Sequence, residues 1–394
     1  MTTPRLFCAA LAMAVATLTL SASTAFAADP VEVDVLLPMT GFGGFIGKGA
    51  SEGLTAAETV VNKSGGIGGR PIKFTIHDDE SNPQIAVQLA SDIIARKKAV
   101  FIGAAFASQC NAISPLVKEG GTVVYCLTPG VQPPPGSYVF SIDPANMDAQ
   151  LPACVRYFRQ RGITRVAMIA STDASGQDGE RAIVGAFALP ENAGATIVDR
   201  EHFSITDISV AAQMASIKAS NAQVLIAITS GTPFATVLRD AQTSGINLPV
   251  LTTNANMTFA QMAQYAQILP TELYFPGFAS VTPTQIVDPR LRASVQEYDR
   301  TLTAQGAKPE YMQSTSYDPA LIIASALRKL GPNASASAIR DYIAQLRGFP
   351  AATGIYDFPT YPQRGLGQSS VIVVRWDRAK NGWVAVSKPG GAPL

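Results

Sequence analysis

Short apolar runs alternate along this chain with longer stretches of helical periodicity, and the alternation repeats in two series. Val31–Leu37 (VEVDVLL) reads as a strand, followed by a glycine-rich loop Pro38–Gly49 and a helix Gly49–Asn62 with Leu54, Ala57 and Val61 on one face. Ile72–His77 is the next strand, and Asn82-Pro83 caps a helix Gln84–Arg96. Val100–Ile102 and Thr122–Leu127 are apolar throughout, the pattern of buried parallel strands, with a helix Asn111–Lys118 between them. Tyr138–Ile142 ends the first series, and Pro144–Asn146 reads as a crossover. The second series opens with helix Met147–Gln160. Strands are predicted at Arg165–Ala170, Ala195–Arg200, Val224–Ile228, Val250–Thr252 and Glu272–Phe275, with helices from Gln177, over Ile208–Ala219 and over Phe234–Ser244. Pro276-Gly277 reads as a second crossover. Helices Pro289–Gln305, Thr315–Leu330 (Pro319 in its first turn) and Ser335–Leu346 follow, then a third return near Ala351. The tail, Ile355–Phe358, Ser370–Trp376 and Trp383–Ser387, alternates as a meander of three strands.

Two consecutive α/β series with three returns predict a two-lobe clamshell, each lobe a parallel-sheet, Rossmann-like α/β sandwich joined to the other by a three-segment hinge. The 394 residues are enough for two cores. Lobe 1 is expected to take residues 28–146 plus 277–350, and lobe 2 residues 147–276 plus 351–394. Residues 1–27 read as a signal peptide: Arg5 gives a weakly positive n-region, Leu6–Leu20 is the apolar run, and Ala25-Phe26-Ala27 fits the small-x-small cleavage pattern. Phe7 stands before Cys8 where a lipobox wants a small residue, which argues against a lipid anchor. The expected location is the periplasm. Lys+Arg is 30 and Asp+Glu is 29, with no basic patch, which excludes nucleic acid as the expected partner.

Export changes the reading of the cysteines. Cys110 lies just past one strand end and Cys126 at its neighbour's, so an oxidising compartment favours a Cys110–Cys126 disulfide with Cys154 buried and free. The alternative is three reduced core residues.

Candidate chemistry gathers at the strand ends. Ser108, Gln109 and the N–H groups opening the Asn111 helix would face the Thr128–Gln132 loop, and exposed N–H groups at a helix start attract anions. A small carboxylate is the expected guest. TGFGGFIGKG fails the P-loop pattern, because Phe42 occupies the first glycine position and Gly49 replaces Ser/Thr; it fails G-x-G-x-x-G because Ile46 stands at the last. Asp78, Asp79 and Glu80 read as favourable charges near a helix start rather than a metal site. G-x-S-x-G is absent, and neither His77 nor His202 has a serine and an acid arranged around it, so no enzyme, cofactor or metal is expected.

The segments PMTGFGGFIGKGASEG, NKSGGIGGRPI, HDDESNPQIAVQLASDII, FIGAAFAS and SYDPALIIASALRKLG together resemble the periplasmic solute-binding proteins of ABC importers, type I fold, in the branched-chain amino acid (leucine/isoleucine/valine-binding) group. That resemblance implies hinge closure over a small ligand, delivery to a membrane permease, and a monomer. It places the ligand's carboxylate at Ser108 (or Ala107) and at Gly130 to Gln132. Phe42, Phe45 and Phe106 are available as an apolar wall, and Ser175, Thr232 and Asn254 are expected to face the guest from the second lobe. The family's amine-gripping acid falls on Asn254, which disfavours an α-amino acid because an ammonium buried without a carboxylate is costly. Asp173 and Asp178 remain available as substitutes. An aromatic or aliphatic acid is favoured, with an amide, an amino acid or ligand sensing for a receptor as alternatives.

Overall fold

The computed structural model describes residues 29–142 and 147–394; the expected signal peptide and the Pro144–Asn146 crossover lie outside them. In chain order the regular elements begin with β1 (Val31–Leu37), α1 (Gly44–Lys63), β2 (Ile72–Asp78), α2 (Pro83–Ala95), β3 (Val100–Gly103), α3 (Ala107–Gly120), β4 (Val123–Cys126) and β5 (Val139–Ser141). These five strands form one parallel sheet in the order β2-β1-β3-β4-β5. The second set is α4 (Met147–Gln160), β6 (Arg165–Ser171), α5 (Ala174–Phe187), β7 (Thr196–Phe203), α6 (Ala211–Ala219), β8 (Val224–Ile228), α7 (Thr232–Thr243), β9 (Val250–Thr252), α8 (Phe259–Gln264) and β10 (Leu273–Gly277). After them come α9 (Pro289–Ala304), α10 (Tyr311–Leu330), α11 (Ala336–Ala344), β11 (Arg347–Pro350), β12 (Ile355–Asp357), β13 (Ile372–Asp377) and β14 (Gly382–Ala385).

The second sheet runs β14-β13-β10-β9-β8-β6-β7, parallel except where β13 joins β10 and β14 joins β13 antiparallel. Each parallel set therefore has the same winding, with its first strand between the second and the third. Both faces of each sheet are covered by helices, and β3, β4 and β8 are buried at every position, which explains their unbroken apolar runs. The fold is the expected two-lobe α/β fold.

Several elements depart from the sequence expectation. The glycine-rich stretch is not loop to Gly49: α1 starts at Gly44. Burial of Ile46, Ala50, Leu54 and Ala57 in one core outweighs the glycines' poor helix propensity. The helix α10 starts at Tyr311 rather than Thr315, leaving Pro319 in its interior. Gln313 Oε1 accepts the Glu310 N–H at 2.8 Å, a start signal with no Ser or Asp to advertise it. The expected meander is split. Ile355–Asp357 pairs with Arg347–Pro350 in a separate two-stranded ribbon, while β13 and β14 extend the second sheet. The short helix α8 has no counterpart in the sequence reading.

The return near Ala351 is also placed differently. Ala351, Ala352, Tyr356, Phe358 and Leu366 pack with Val35, Leu54 and Tyr317 in the first core, and only from Val371 do apolar side chains join Leu225 and Phe275 in the second. Buried Asp318 holds the return in place, accepting the N–H groups of Ala352 (2.8 Å) and Thr353 (2.9 Å) and the Tyr356 hydroxyl (3.0 Å). Cys110 and Cys126 form the expected disulfide, with Cα atoms 6.1 Å apart, and Cys154 is free and buried, its thiol pushed up by that burial.

Candidate functional site

In open α/β sheets ligands bind beyond the carboxyl ends of the strands, where the winding reverses. In the first sheet that point lies between β1 and β3, in the second between β6 and β8. The segments leaving these four strands face one another around a cavity of about 330 Å³. Phe42, Phe45 and Ile46 follow β1, Ala105 and Phe106 follow β3, and Thr128, Pro129 and Gly130 follow β4. From the second sheet come Ser171 at the end of β6 and Asp173, Ser175 and Gly176 after it, Thr229 to Pro233 after β8, and Thr253 to Ala255 after β9, with Met147, Ile205, Thr206 and Ile228 completing the lining.

The lining divides by chemistry. Phe42, Phe45, Ile46, Phe106, Met147 and Ile205 make an apolar wall. Phe42 and Phe106 stack with centroids 4.7 Å apart, and Phe42 remains 65% exposed, which puts it at the mouth. Hydroxyl groups of Thr128, Ser175, Thr229, Ser230, Thr232 and Thr253 supply polar contacts. Four helices, α1, α3, α5 and α7, begin at this cavity, so the positive ends of their dipoles meet there. Among the described lining residues Asp173 is the one with a charged side chain.

Supporting residues fix these loops. Asn256, fully buried, accepts the Gly231 N–H at 3.0 Å and donates to Thr229 O at 2.9 Å; the Tyr265 hydroxyl donates to Gly231 O at 2.8 Å. Buried Arg364 donates to the carbonyls of Pro129 (3.1 Å), Val131 and Ile142 (3.0 Å), which sets the turn around Gly130. The walls come close: a Cβ at Gly130 would stand 3.0 Å from Ala107 Cβ and 3.8 Å from Ser175 Oγ.

Of the residues picked out by sequence, Phe45, Gly130, Ser175, Thr232 and Asn254 line the cavity. Asn254 also donates to the Tyr311 hydroxyl at 3.0 Å. Ser108, Gln109 and Gln132 do not line it. The helix α3 begins at Ala107, four residues before the expected Asn111, so Ser108 lies in its first turn and is exposed. Gln109 turns inward, where its Oε1 accepts the Phe106 N–H at 3.2 Å and its Nε2 donates to Asp79 at 2.7 Å. Burial pushes the Asp79 carboxyl up to about 6, against the pull of that hydrogen bond and of the Ser81 N–H. Gln132 is exposed and reaches Asp148 at 3.4 Å. Thr128 lies in the loop that the sequence places at the site without being singled out there, and Met147 and Ile205 line the cavity without having been expected.

Asp178, a candidate ammonium partner, is instead ion-paired with Arg181. Asp78 accepts the N–H groups of Met39 (3.0 Å) and Glu80 (2.8 Å), so it orders the turn after β2. His77 contacts Asp34 at 2.8 Å and His202 contacts Glu180 at 2.7 Å, and neither lines the cavity. Among the described residues no cluster of His, Cys, Asp and Glu could hold a metal ion, and no helix is long and apolar enough to cross a membrane.

A family model described as periplasmic binding protein matches residues 30–382. No curated protein matches the chain closely enough to count as a relative. Among solved structures, an extracellular ligand-binding receptor from Rhodopseudomonas palustris HaA2 is similar, with a TM-score of 0.80 and 19% identity over 90% of this chain and 99% of that one. The branched-chain amino acid transporter substrate-binding protein LivJ of Streptococcus pneumoniae, in complex with isoleucine, gives 0.75 and 15% over 91% and 99%. A fatty acid ABC transporter substrate-binding protein from Thermomonospora curvata gives 0.75 and 16% over 92% of each chain.

Proposed function

The chain belongs to the periplasmic binding protein family, a family of binding proteins rather than enzymes, and from that premise we propose that it captures a small carboxylate-bearing solute by hinge closure for an ABC importer. The observation that carries this reading is the cavity itself, where apolar side chains, four helix starts and hydroxyl-bearing residues come together. A carboxylate suits N–H groups and hydroxyls, and an aromatic or aliphatic body suits Phe45, Phe106 and Ile46. Phe45, Gly130, Ser175, Thr232 and Asn254 are the proposed ligand contacts, with Thr128 and the backbone after β3 taking the part that Ser108, Gln109 and Gln132 had in the sequence reading.

Similar folds that are described as transporter components, one for branched-chain amino acids and one for fatty acids, support the importer role. The proposed partners are the ligand and a membrane permease, the proposed state a monomer, and the proposed location the periplasm. Lobe 1 is assigned residues up to 142, then 279–366, and lobe 2 residues 147–277 with the tail from Val371. An amino acid is the second reading, favoured by one observation, the Asp173 carboxylate in the wall.

A thermal-shift panel of aromatic acids, aliphatic acids, amides and amino acids tests this. A specific ligand at 100 times its Kd adds about 2.7 kcal/mol of stability. The reading predicts that aromatic or aliphatic acids shift the melt most. A panel in which only leucine-like amino acids act would remove the preference for an acid without an amine.

A further inference from the structure

Asp173 holds a position that capping alone does not account for. It is the N-cap of α5 and lies half-buried in the cavity wall. Its Oδ1 does the capping, accepting the Gly176 N–H at 3.3 Å, and also accepts the Ser171 hydroxyl at 2.5 Å. Its Oδ2 makes no hydrogen bond with any described residue. Ser171 is itself buried and reaches Ile228 O at 3.3 Å, so the Asp173 side chain is braced from the strand beneath it.

The rest of the lining brings no cation to pair with this carboxylate among the described residues. Arg181 on α5 and Arg200 on β7 are committed elsewhere: Arg181 pairs with Asp148 and Asp178, and Arg200 with Glu180. When the cleft fills, water around Oδ2 is replaced by ligand. A purely apolar surface against a carboxylate oxygen forfeits that oxygen's hydrogen bonds. A ligand carboxylate placed near it without an intervening donor would add repulsion. A donor on the ligand removes both costs. Discrimination of this kind is large because a site built to pair with an O–H or N–H group rejects the analogue that lacks it.

We propose that Asp173 is a specificity-determining residue that reads a hydrogen-bond donor on the ligand, so that the solute is an acid carrying a hydroxyl, amide N–H or ammonium group rather than a plain apolar acid. The inference rests on the carboxylate reading of the site and sharpens it. It also gives the second sheet an acid from a strand end other than that of Asn254. The acid comes with a braced rotamer and one oxygen that makes no hydrogen bond with any described residue.

The test uses the mature full chain and calorimetric titration with benzoate, its 2-, 3- and 4-hydroxy isomers, L-phenylalanine, and phenol as an uncharged donor. At least one donor-bearing acid binds roughly tenfold tighter than benzoate, the range for a hydrogen bond to a charged group. Phenylalanine as the preferred ligand identifies the donor as an ammonium; a hydroxy acid identifies it as a hydroxyl. Asp173→Ser keeps an N-cap oxygen for Gly176 and removes Oδ2, without an amide NH₂ that could donate to a ligand hydroxyl in its place. In this variant the preference over benzoate falls to within about threefold, while a single cooperative melt shows that the fold is kept. Benzoate binding as tightly as every donor-bearing acid, or a preference that survives in Asp173→Ser, overturns the proposal and leaves the carboxylate reading standing. Phenol binding as tightly as the hydroxy acids, with dependence on Asp173, removes the carboxylate reading and keeps Asp173 as the donor reader.

Discussion

Phe45 and Gly231 meet across the cleft: a Cβ built on Gly231 would stand 3.3 Å from the Phe45 ring edge. One residue opens α1 beside the first sheet and the other caps α7 beside the second, and Gly231 holds φ +66°, which a side chain disfavours. Gly231→Ala is therefore expected to weaken ligand binding about tenfold, through backbone strain of about 1–3 kcal/mol at φ +66° and ψ −138° and through displacement of the ring. Phe45→Ala in the same background should recover part of the loss, as contacting residues couple in a double-mutant cycle. Equal losses with and without Phe45 would show that the contact is irrelevant to binding.

The Cys110–Cys126 bridge ties the first turn of α3 to the end of β4, both adjoining the cavity. With a sequence separation of 16, the chain-entropy model gives about 3 kcal/mol. A Cys110→Ser/Cys126→Ser pair should lose roughly that stability in urea unfolding and bind its ligand more weakly. Unfolding midpoints indistinguishable from those of the unaltered protein would contradict it.

Glu310 supplies a pH dependence. Burial pushes its carboxyl up to about 7 from the ordinary 4.5; the Phe259 N–H, Lys308 and Lys48 pull it down, and Glu52 pushes it further up. The folded state thus holds this proton more tightly than the unfolded chain does. Its contribution is fully present below pH 4.5 and is lost as pH rises through about 7. Asp318 and Asp299, each pushed up by burial to about 6, act in the same sense. Melting temperatures at pH 5 and pH 8 should differ less for Glu310→Gln than for the unaltered protein. An identical difference in both would rule Glu310 out as a contributor.

Asp318 is the buried acceptor for three donors of the return segment, Ala352 N, Thr353 N and Tyr356 Oη. Asp318→Ala orphans all three, and each unsatisfied buried donor costs about 1–3 kcal/mol. A loss of at least about 3 kcal/mol in denaturant unfolding is expected. A loss below 1 kcal/mol would mean that the segment is held by its apolar side chains, Tyr356 and Phe358 among them.

Much of this architecture was legible because parallel strands buried on both faces write themselves as apolar runs, and strand-end loops can be read once strands are placed. That route led to Phe45, Gly130, Ser175, Thr232 and Asn254. It failed at Ser108 and Gln109 because the start of α3 depends on a tertiary contact. Gln109 reaches Asp79 on another strand end, and no local pattern announces it. The limit at Ala351 has the same cause: Asp318 lies 34 residues from Ala352 in sequence and still fixes its path. Ile205 follows β7, which runs on to Phe203 instead of ending at the expected Arg200, and Met147 opens α4; at neither place does a single apolar residue carry a signal of its role.

The central claim is that the cavity between the two sheets binds a carboxylate with an apolar body. Calorimetric titration of the unaltered protein with the best acid from the thermal-shift panel, and with the methyl ester of that acid, tests it most directly. The account predicts one site per chain for the acid and binding at least about tenfold weaker for the ester, the loss of a charged hydrogen-bonding group. An ester that binds as tightly as its acid would contradict it.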